Sequence, residues 1–430
     1  MKEIVYDQIG ETLYTDTLAN GLTVKLLPKK DYNKTYAIFA TDFGSIDNCF
    51  VPLGQEEMKE VPDGIAHFLE HKLFEKEDGD VFHQFSNYGA AANAFTSFTK
   101  TAYLFSTSDY VKENLTTLLD FVQDPYFTPE TVNKEKGIIG QEIQMYDDDP
   151  NWRLMFGLLE NIYPDHPVSI DIAGTVESID KITSDQLYEN YHTFYHPSNM
   201  TLVVVGQFDP EDLMALIEDN QNAKTFAPAE VIKRHKPDAD LSHFKKEAQV
   251  KMDVSRPKVA VGIRGKQADL AGLERLKQEI SLKIFFNMIL GPSSKHYLSL
   301  YNEEIIDDSF YCDVNFDRSF NFISITSDTK HPQRFEDRIK TILLKQTDQE
   351  DFNQEQFDEV KRDLIGKNLQ SLNSLEYIAN QLTEKIEGDL NVFDLQELVQ
   401  GIQLDDLGQI VKDYLDPDYL SVFKVLPKLV

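Results

Sequence analysis

Residues 63–80 read DGIAHFLEHKLFEKEDGD, and the reading of the whole chain turns on His67, Glu70 and His71 within that stretch. An α-helix makes a turn about every 3.6 residues, so His67 and His71 stand one above the other on a single face. Glu70 falls on that face as well, while Ile65, Leu69 and Leu73 form a stripe suited to a core. Two neutral imidazoles at this spacing can hold one Zn²⁺. A carboxylate beside them can reach a water without being a ligand itself. The order is H-x-x-E-H, the reverse of H-E-x-x-H. Ten histidines are spread over the 430 residues. The pattern therefore arises by chance in roughly one such chain in fifty, and a third ligand is needed before it carries weight.

The candidate third ligand lies downstream, in TPETVNKEKGIIGQEIQMYDDD, which begins at Thr128. Thr128 reads as an N-cap and Pro129 as the first helical residue. Glu135 and Glu142 are seven apart and so project from one helical face, as a ligand and a residue that orients the site would. Taken alone, such a pair is an ordinary solvated acidic face; beside His67 and His71 it becomes a ligand candidate.

At 430 residues the chain is too long for one hydrophobic core, so two domains of roughly 150–220 residues are expected. Internal repetition agrees. ITSDQLYENYHTFYHPSNMTLVVV from Ile182 matches IQLDDLGQIVKDYLDPDYLSVFKV from Ile402 at an offset of 220 (402 − 182). AYLFSTSD from Ala102 is echoed by NFISITSD from Asn321 at an offset of 219 (321 − 102). Each copy of the longer match reads as an amphipathic helix, a proline turn and a β-branched strand. The stretch from Asn220 to Asp240 has Pro228, Pro237 and no sustained period, which marks a linker. The expected division is residues 1–219, a linker over 220–248, and residues 249–430. Both halves have α/β composition.

The net charge of −31 argues against a nucleic-acid backbone or an anionic membrane as partner and permits cationic peptides. Cys49 and Cys312 form no CxxC pair and no disulfide framework, which suits a reducing compartment. MKEIVYDQIGETLY lacks the pattern of a signal peptide, and no apolar run is long enough to span a bilayer. A soluble, cytoplasmic protein is expected.

GIAHFLEHKLFE, then GAAANAFTS with TAYLFS, then EKGIIGQEIQMYDDDP, resemble the pitrilysin/insulinase family of inverted-motif zinc metallopeptidases in order and spacing. Glu142 stands 71 residues after His71 (142 − 71), close to the family separation. The similarity extends over essentially the whole chain, and its size is that of the short bacterial members. It implies an α/β (α+β) protein of two homologous LuxS/MPP-like metallohydrolase domains, each a mostly antiparallel sheet covered by helices. It implies one Zn²⁺ per chain held by His67, His71 and Glu142, with Glu70 as general base and Glu135 orienting the site. Asn93 and Ala94 would bind a peptide substrate by strand addition. The implied activity is that of a zinc endopeptidase on short or unfolded peptides inside a dimeric chamber. The alternative is an accessory or maturation subunit that keeps zinc without proteolysis.

Two departures stand out. At the repeat offset, Phe286–Leu290 (FNMIL) replaces the metal motif, and aligning LIGKN with IIGQE sets Asn368 opposite Glu142, so the second half is expected to be a non-catalytic wall. Tyr301 occupies the place of a family arginine that contacts substrate; Tyr311 suits the tyrosine that follows it, and Arg318 has the wrong spacing. The family's chambers use four such domains. The resemblance therefore implies a heterodimer with a metal-less sister chain that supplies the arginine, or else a homodimer.

Overall fold

TYAIFAT at 35–41 and MTLVVVG at 200–206 are buried along their whole length. A strand covered on both faces loses the polar alternation of a half-exposed one, so these two mark the middle of a sheet. The computed structural model describes residues 1–237, 241–267, 270–384 and 390–428. Its main strands are β1 (Lys2–Tyr6), β2 (Glu11–Thr17), β3 (Thr23–Pro28), β4 (Thr35–Thr41), β5 (Ala91–Thr96), β6 (Thr101–Thr107), β7 (Met200–Gly206), β8 (Glu247–Met252), β9 (Lys258–Arg264), β10 (Tyr311–Asp317), β11 (Phe320–Asp328) and β12 (Leu420–Pro427). The helices that matter here are α1 (Ile65–Leu73), α2 (Pro129–Asp147), α3 (Pro150–Ile162), α4 (Ser184–Phe194), α5 (Gly272–Leu290), α6 (Gln354–Ser371), α7 (Leu375–Leu382) and α8 (Leu404–Tyr414).

The chain forms two compact units. The first gathers Met1–Ile143, Asp171–His235 and the segment opening at Ser371 that carries α7. Its seven-stranded sheet has the order β1-β2-β3-β7-β4-β6-β5. Only β3 and β7 pair in parallel; the rest is antiparallel. Val24, Leu26, Ala37, Phe39, Leu202 and Val204 face a core shared with α1, α2 and α4. By strand alternation Tyr36, Ile38, Val203 and Val205 face the other way, and α7 lies against β4 and β7 there. Lys25 Nζ donates to the Leu382 carbonyl at 2.8 Å and fastens α7 to the sheet.

The second unit comprises residues 144–170, the chain from Lys236 to Gln370, and the C-terminal elements. Its five-stranded sheet runs β8-β12-β9-β11-β10, with only β8 and β12 parallel. Val259, Val261, Ile263, Ile323, Ile325 and Val422 face a core with α5, α6 and α8. The opposite face is covered by α3. A Cβ at Gly157 would meet the Phe423 ring at 2.2 Å, and one at Gly262 would meet Leu158 at 2.7 Å, so the helix sits directly on the strands.

The duplication is visible in both units. α4, the turn Pro197–Asn199 and β7 are repeated by α8, the turn Pro417–Tyr419 and β12, each starting 220 residues later (404 − 184, 417 − 197, 420 − 200). The boundaries expected at 219 and 248 follow chain order, whereas the units trade α3 and α7: each sheet takes the helix that follows the long helix of the other half. Within the expected linker, Arg234 bridges to Phe50, and its Nε donates to Asp47 at 2.8 Å, which ties that stretch to the first unit. The linker's 238–240 portion lies outside the described residues. No helix among the described residues is long and apolar enough to cross a membrane.

Candidate metal centre

α1 begins at Gly64, whose φ of 86° lies in the left-handed region where glycine carries no Cβ penalty. A Cβ there would also meet the Ala173 carbonyl oxygen at 2.3 Å. The following nine residues are buried except His71. Ile65, Phe68, Leu69 and Leu73 enter the core, as the stripe predicts, and His67 and Glu70 are buried too. α2 starts at Pro129, and Thr128 Oγ1 accepts from the Thr131 amide at 3.2 Å, so the expected cap forms. Val132, Ile139 and Ile143 anchor α2 to the core. That anchoring turns Glu135 and Glu142 toward α1.

The two imidazoles have ring centroids 4.6 Å apart and planes tilted by 59°. Glu142 offers one oxygen to each: His67 Nε2 lies 3.7 Å from Oε1 and His71 Nε2 3.5 Å from Oε2. Both separations are too long for good hydrogen bonds. Tetrahedral Zn²⁺ with bonds of about 2.0–2.1 Å has ligand atoms about 3.4 Å apart, so the spacing suits donors that share a cation. His71 Nδ1 is 3.1 Å from Glu135 Oε1. With that nitrogen donating, the lone pair of Nε2 points at a carboxylate, an arrangement relieved by a positive charge between them. The donor atoms of His67, His71 and Glu142 all fall within 4.8 Å of one another, the single such group among the described residues. Two imidazole nitrogens and one carboxylate oxygen are the donor set of an open zinc site.

The electrostatics separate the two imidazoles. Burial, helped by the neighbouring His71, pushes His67 down to about 3, so it stays neutral and able to coordinate. Its Nδ1 is buried with no hydrogen-bond partner among the described residues. Burial alone would lower His71 as well, but the Glu135 hydrogen bond and the charges of Glu70, Glu142 and Glu135 outweigh it, and His71 is raised. For Glu135, burial is outweighed by the bond to His71 and the carboxyl is lowered. Burial raises Glu70, against the opposing effect of a hydrogen bond from Thr96.

A cleft of about 720 Å³ is lined by Glu70, His71, Glu135, Asn93 and Ala94 among others, which brings the two expected substrate contacts beside the candidate base. Asn93 and Ala94 lie on β5, the edge strand of the sheet. Tyr311 stands in the second unit, exposed at the start of the edge strand β10. Tyr301 is also exposed, with its hydroxyl 3.3 Å from Asp308 Oδ1. Phe286, Met288, Ile289 and Leu290, opposite the metal motif in the repeat, are core residues of α5.

Two neighbours of the site had no role in the sequence reading. Lys72 is fully buried and pairs with Glu75. Thr96 Oγ1 donates to Glu70 Oε2 at 2.6 Å. Alternation puts Thr96 on the same face of β5 as Ala92 and Ala94, but that period does not name its partner on α1.

Paired α/β units, one carrying an H-x-x-E-H helix faced by a glutamate from a second helix, define the inverted-motif metallopeptidase class. Comparison with known proteins agrees. Residues 50–176 match the model "Insulinase (Peptidase family M16)" and residues 181–364 match "Peptidase M16 inactive domain". The chain is 51% identical over 428 residues to an uncharacterized zinc protease, YmfH, of Bacillus subtilis (strain 168), covering 100% of both chains. A crystal structure of a putative M16-like peptidase from Alicyclobacillus acidocaldarius superimposes with a TM-score of 0.92 at 35% identity, over 97% of this chain and 99% of that one. The periplasmic protease PqqL of Escherichia coli shares the fold alone, with a TM-score of 0.73 at 19% identity over 99% of this chain and 48% of PqqL. The chain belongs to the insulinase family, peptidase family M16.

Proposed function

We propose that the chain is a zinc-dependent endopeptidase acting on short or unfolded peptides. The observation that carries this reading is the convergence of His67, His71 and Glu142 on one small volume, with Glu70 beside them and not used as a donor. His67 Nε2, His71 Nε2 and a Glu142 oxygen would hold one Zn²⁺ per chain, and Glu135 orients His71 through Nδ1. Bound there, Zn²⁺ supplies Lewis acidity toward a peptide carbonyl and lowers the pKa of water. Glu70 is held on Oε2 by Thr96, which leaves Oε1 to take a proton from the attacking water and return it to the departing amine nitrogen. An extended peptide would add to the open edge of β5 at Asn93 and Ala94.

Glu70→Gln tests the reading. Peptide cleavage should fall by roughly 10²–10⁴-fold while zinc content by metal analysis stays at the wild-type level. Undiminished cleavage by Glu70→Gln would remove the general-base role. A wild type that binds zinc and cleaves no peptide would replace the endopeptidase by the accessory-subunit reading.

Tyr301 supports a second element of the proposal. A phenol cannot supply the fixed cationic fork of a guanidinium, so the chain would work with a metal-less sister chain that contributes the arginine and completes a dimeric chamber.

A further inference from the structure

Thr96 ends β5, and its side chain and its backbone serve different neighbours. Ala92 and Ala94 pack on the core shared with α1, and Thr96 follows them in the two-residue period of the strand. Two alanines leave room for α1 to approach, and the hydroxyl at the next inward position reaches Glu70 Oε2 at 2.6 Å. The backbone alternates in the other direction. Ser97 N donates to the Lys100 carbonyl at 2.7 Å across the hairpin, so amides in its phase pair inward. Those of Ala92, Ala94 and Thr96 therefore turn to the open edge. In agreement, the Ala94 amide is met by the side-chain oxygen of its own neighbour Asn93 at 2.9 Å.

We propose that Thr96 is a positioning residue that couples the open edge of β5 to the proton-transferring carboxylate of Glu70. Its hydroxyl fixes Oε2, so that Oε1 is the oxygen presented to water. A peptide hydrogen-bonded along the edge immobilises the residue that carries this hydroxyl. The coupling rests on the endopeptidase reading for its consequence in turnover; the placement of the carboxylate does not. An O–H···O⁻ bond of this length is among the stronger hydrogen bonds, and a carboxylate freed from it samples orientations that are unproductive for transfer.

Thr96→Val removes the hydroxyl at nearly constant shape, and Thr96→Ser restores it. With a peptide that the wild type cleaves, Thr96→Val should lose about 10–100-fold in kcat at little change in KM, with zinc content and melting temperature preserved. Thr96→Ser should recover most of that loss. Wild-type kcat in Thr96→Val, or an equal defect in Thr96→Ser, would overturn the proposal. Crystal structures of the zinc-loaded wild type and Thr96→Val give a readout that needs no turnover: the Glu70 carboxylate should rotate away from its wild-type orientation in the variant. An unmoved carboxylate would overturn the proposal as well. A wild type that cleaves nothing would sink the endopeptidase reading, while the carboxylate's orientation would still decide the role of Thr96.

Discussion

Two histidines of this chain are buried for different purposes, and the contrast lies in their hydrogen bonds. His67 leaves Nδ1 without a partner among the described residues and turns Nε2 toward a carboxylate. His166 is satisfied at both nitrogens: Nδ1 accepts from the Val168 amide at 2.9 Å, and Nε2 contacts Ser319 Oγ at 3.1 Å. That closed arrangement belongs to a structural residue. Burial, with the Arg264 charge nearby, pushes His166 down to about 4. In the unfolded chain it titrates near its ordinary value of about 6.5. Between those values the unfolded state binds more protons, so stability is full above about 6.5 and declines as pH falls toward 4. The expected loss is about 3 kcal/mol at most. Trp152, the single tryptophan, lies in the same unit and reports its unfolding. Urea titrations at pH 7 and pH 5 should therefore show a larger drop for the wild type than for His166→Gln; equal drops would refute the assignment. From sequence the two residues are indistinguishable. His67 was legible only because His71 and a glutamate pair accompany it at helical spacing, while Thr96 needed the register of β5 against α1 to acquire a role.

At the scale of elements, periodicity and caps carried most of the reading. The Thr128 cap, the Pro129 start and the repeated helix–turn–strand block all form where their residues predict. The destination of α3 and α7 was not legible, because an apolar stripe states that a helix is covered and not by which sheet. The small residues under α3 record that destination in hindsight. Gly157 and Gly262 let the helix rest on β9 and β12, where a Cβ would strike Phe423 or Leu158. Gly157→Ala should accordingly cost about 1–3 kcal/mol through overpacking. Gly137→Ala, in α2 with nothing within 4 Å of the new Cβ, should instead stabilise by about 0.5–1 kcal/mol. Urea unfolding of both variants checks the pair, and equal effects would contradict the close packing of α3.

On the scale of the whole molecule, the acidic chain has two related halves, and among the described residues the one cluster of metal-ligating side chains is His67, His71 and Glu142 in the first. The residues opposite the motif in the second half, Phe286 and Met288 among them, are core. If a sister chain supplies the arginine, as proposed, the lone chain should cleave peptides weakly. Addition of a metal-less sister chain that carries the arginine should raise the rate by roughly 10²–10³-fold, the order expected when one group that acts on the transition state is restored. Full activity of the purified single chain would exclude that dependence. The exchange of α3 and α7 bears on how such a molecule could arise. A primordial half-length polypeptide would have lacked a lid for its own strands, and two copies trading lids would have satisfied each other. Neither fragment released by cutting the connector should therefore be stable in isolation, since each would lose the helix that covers its own sheet.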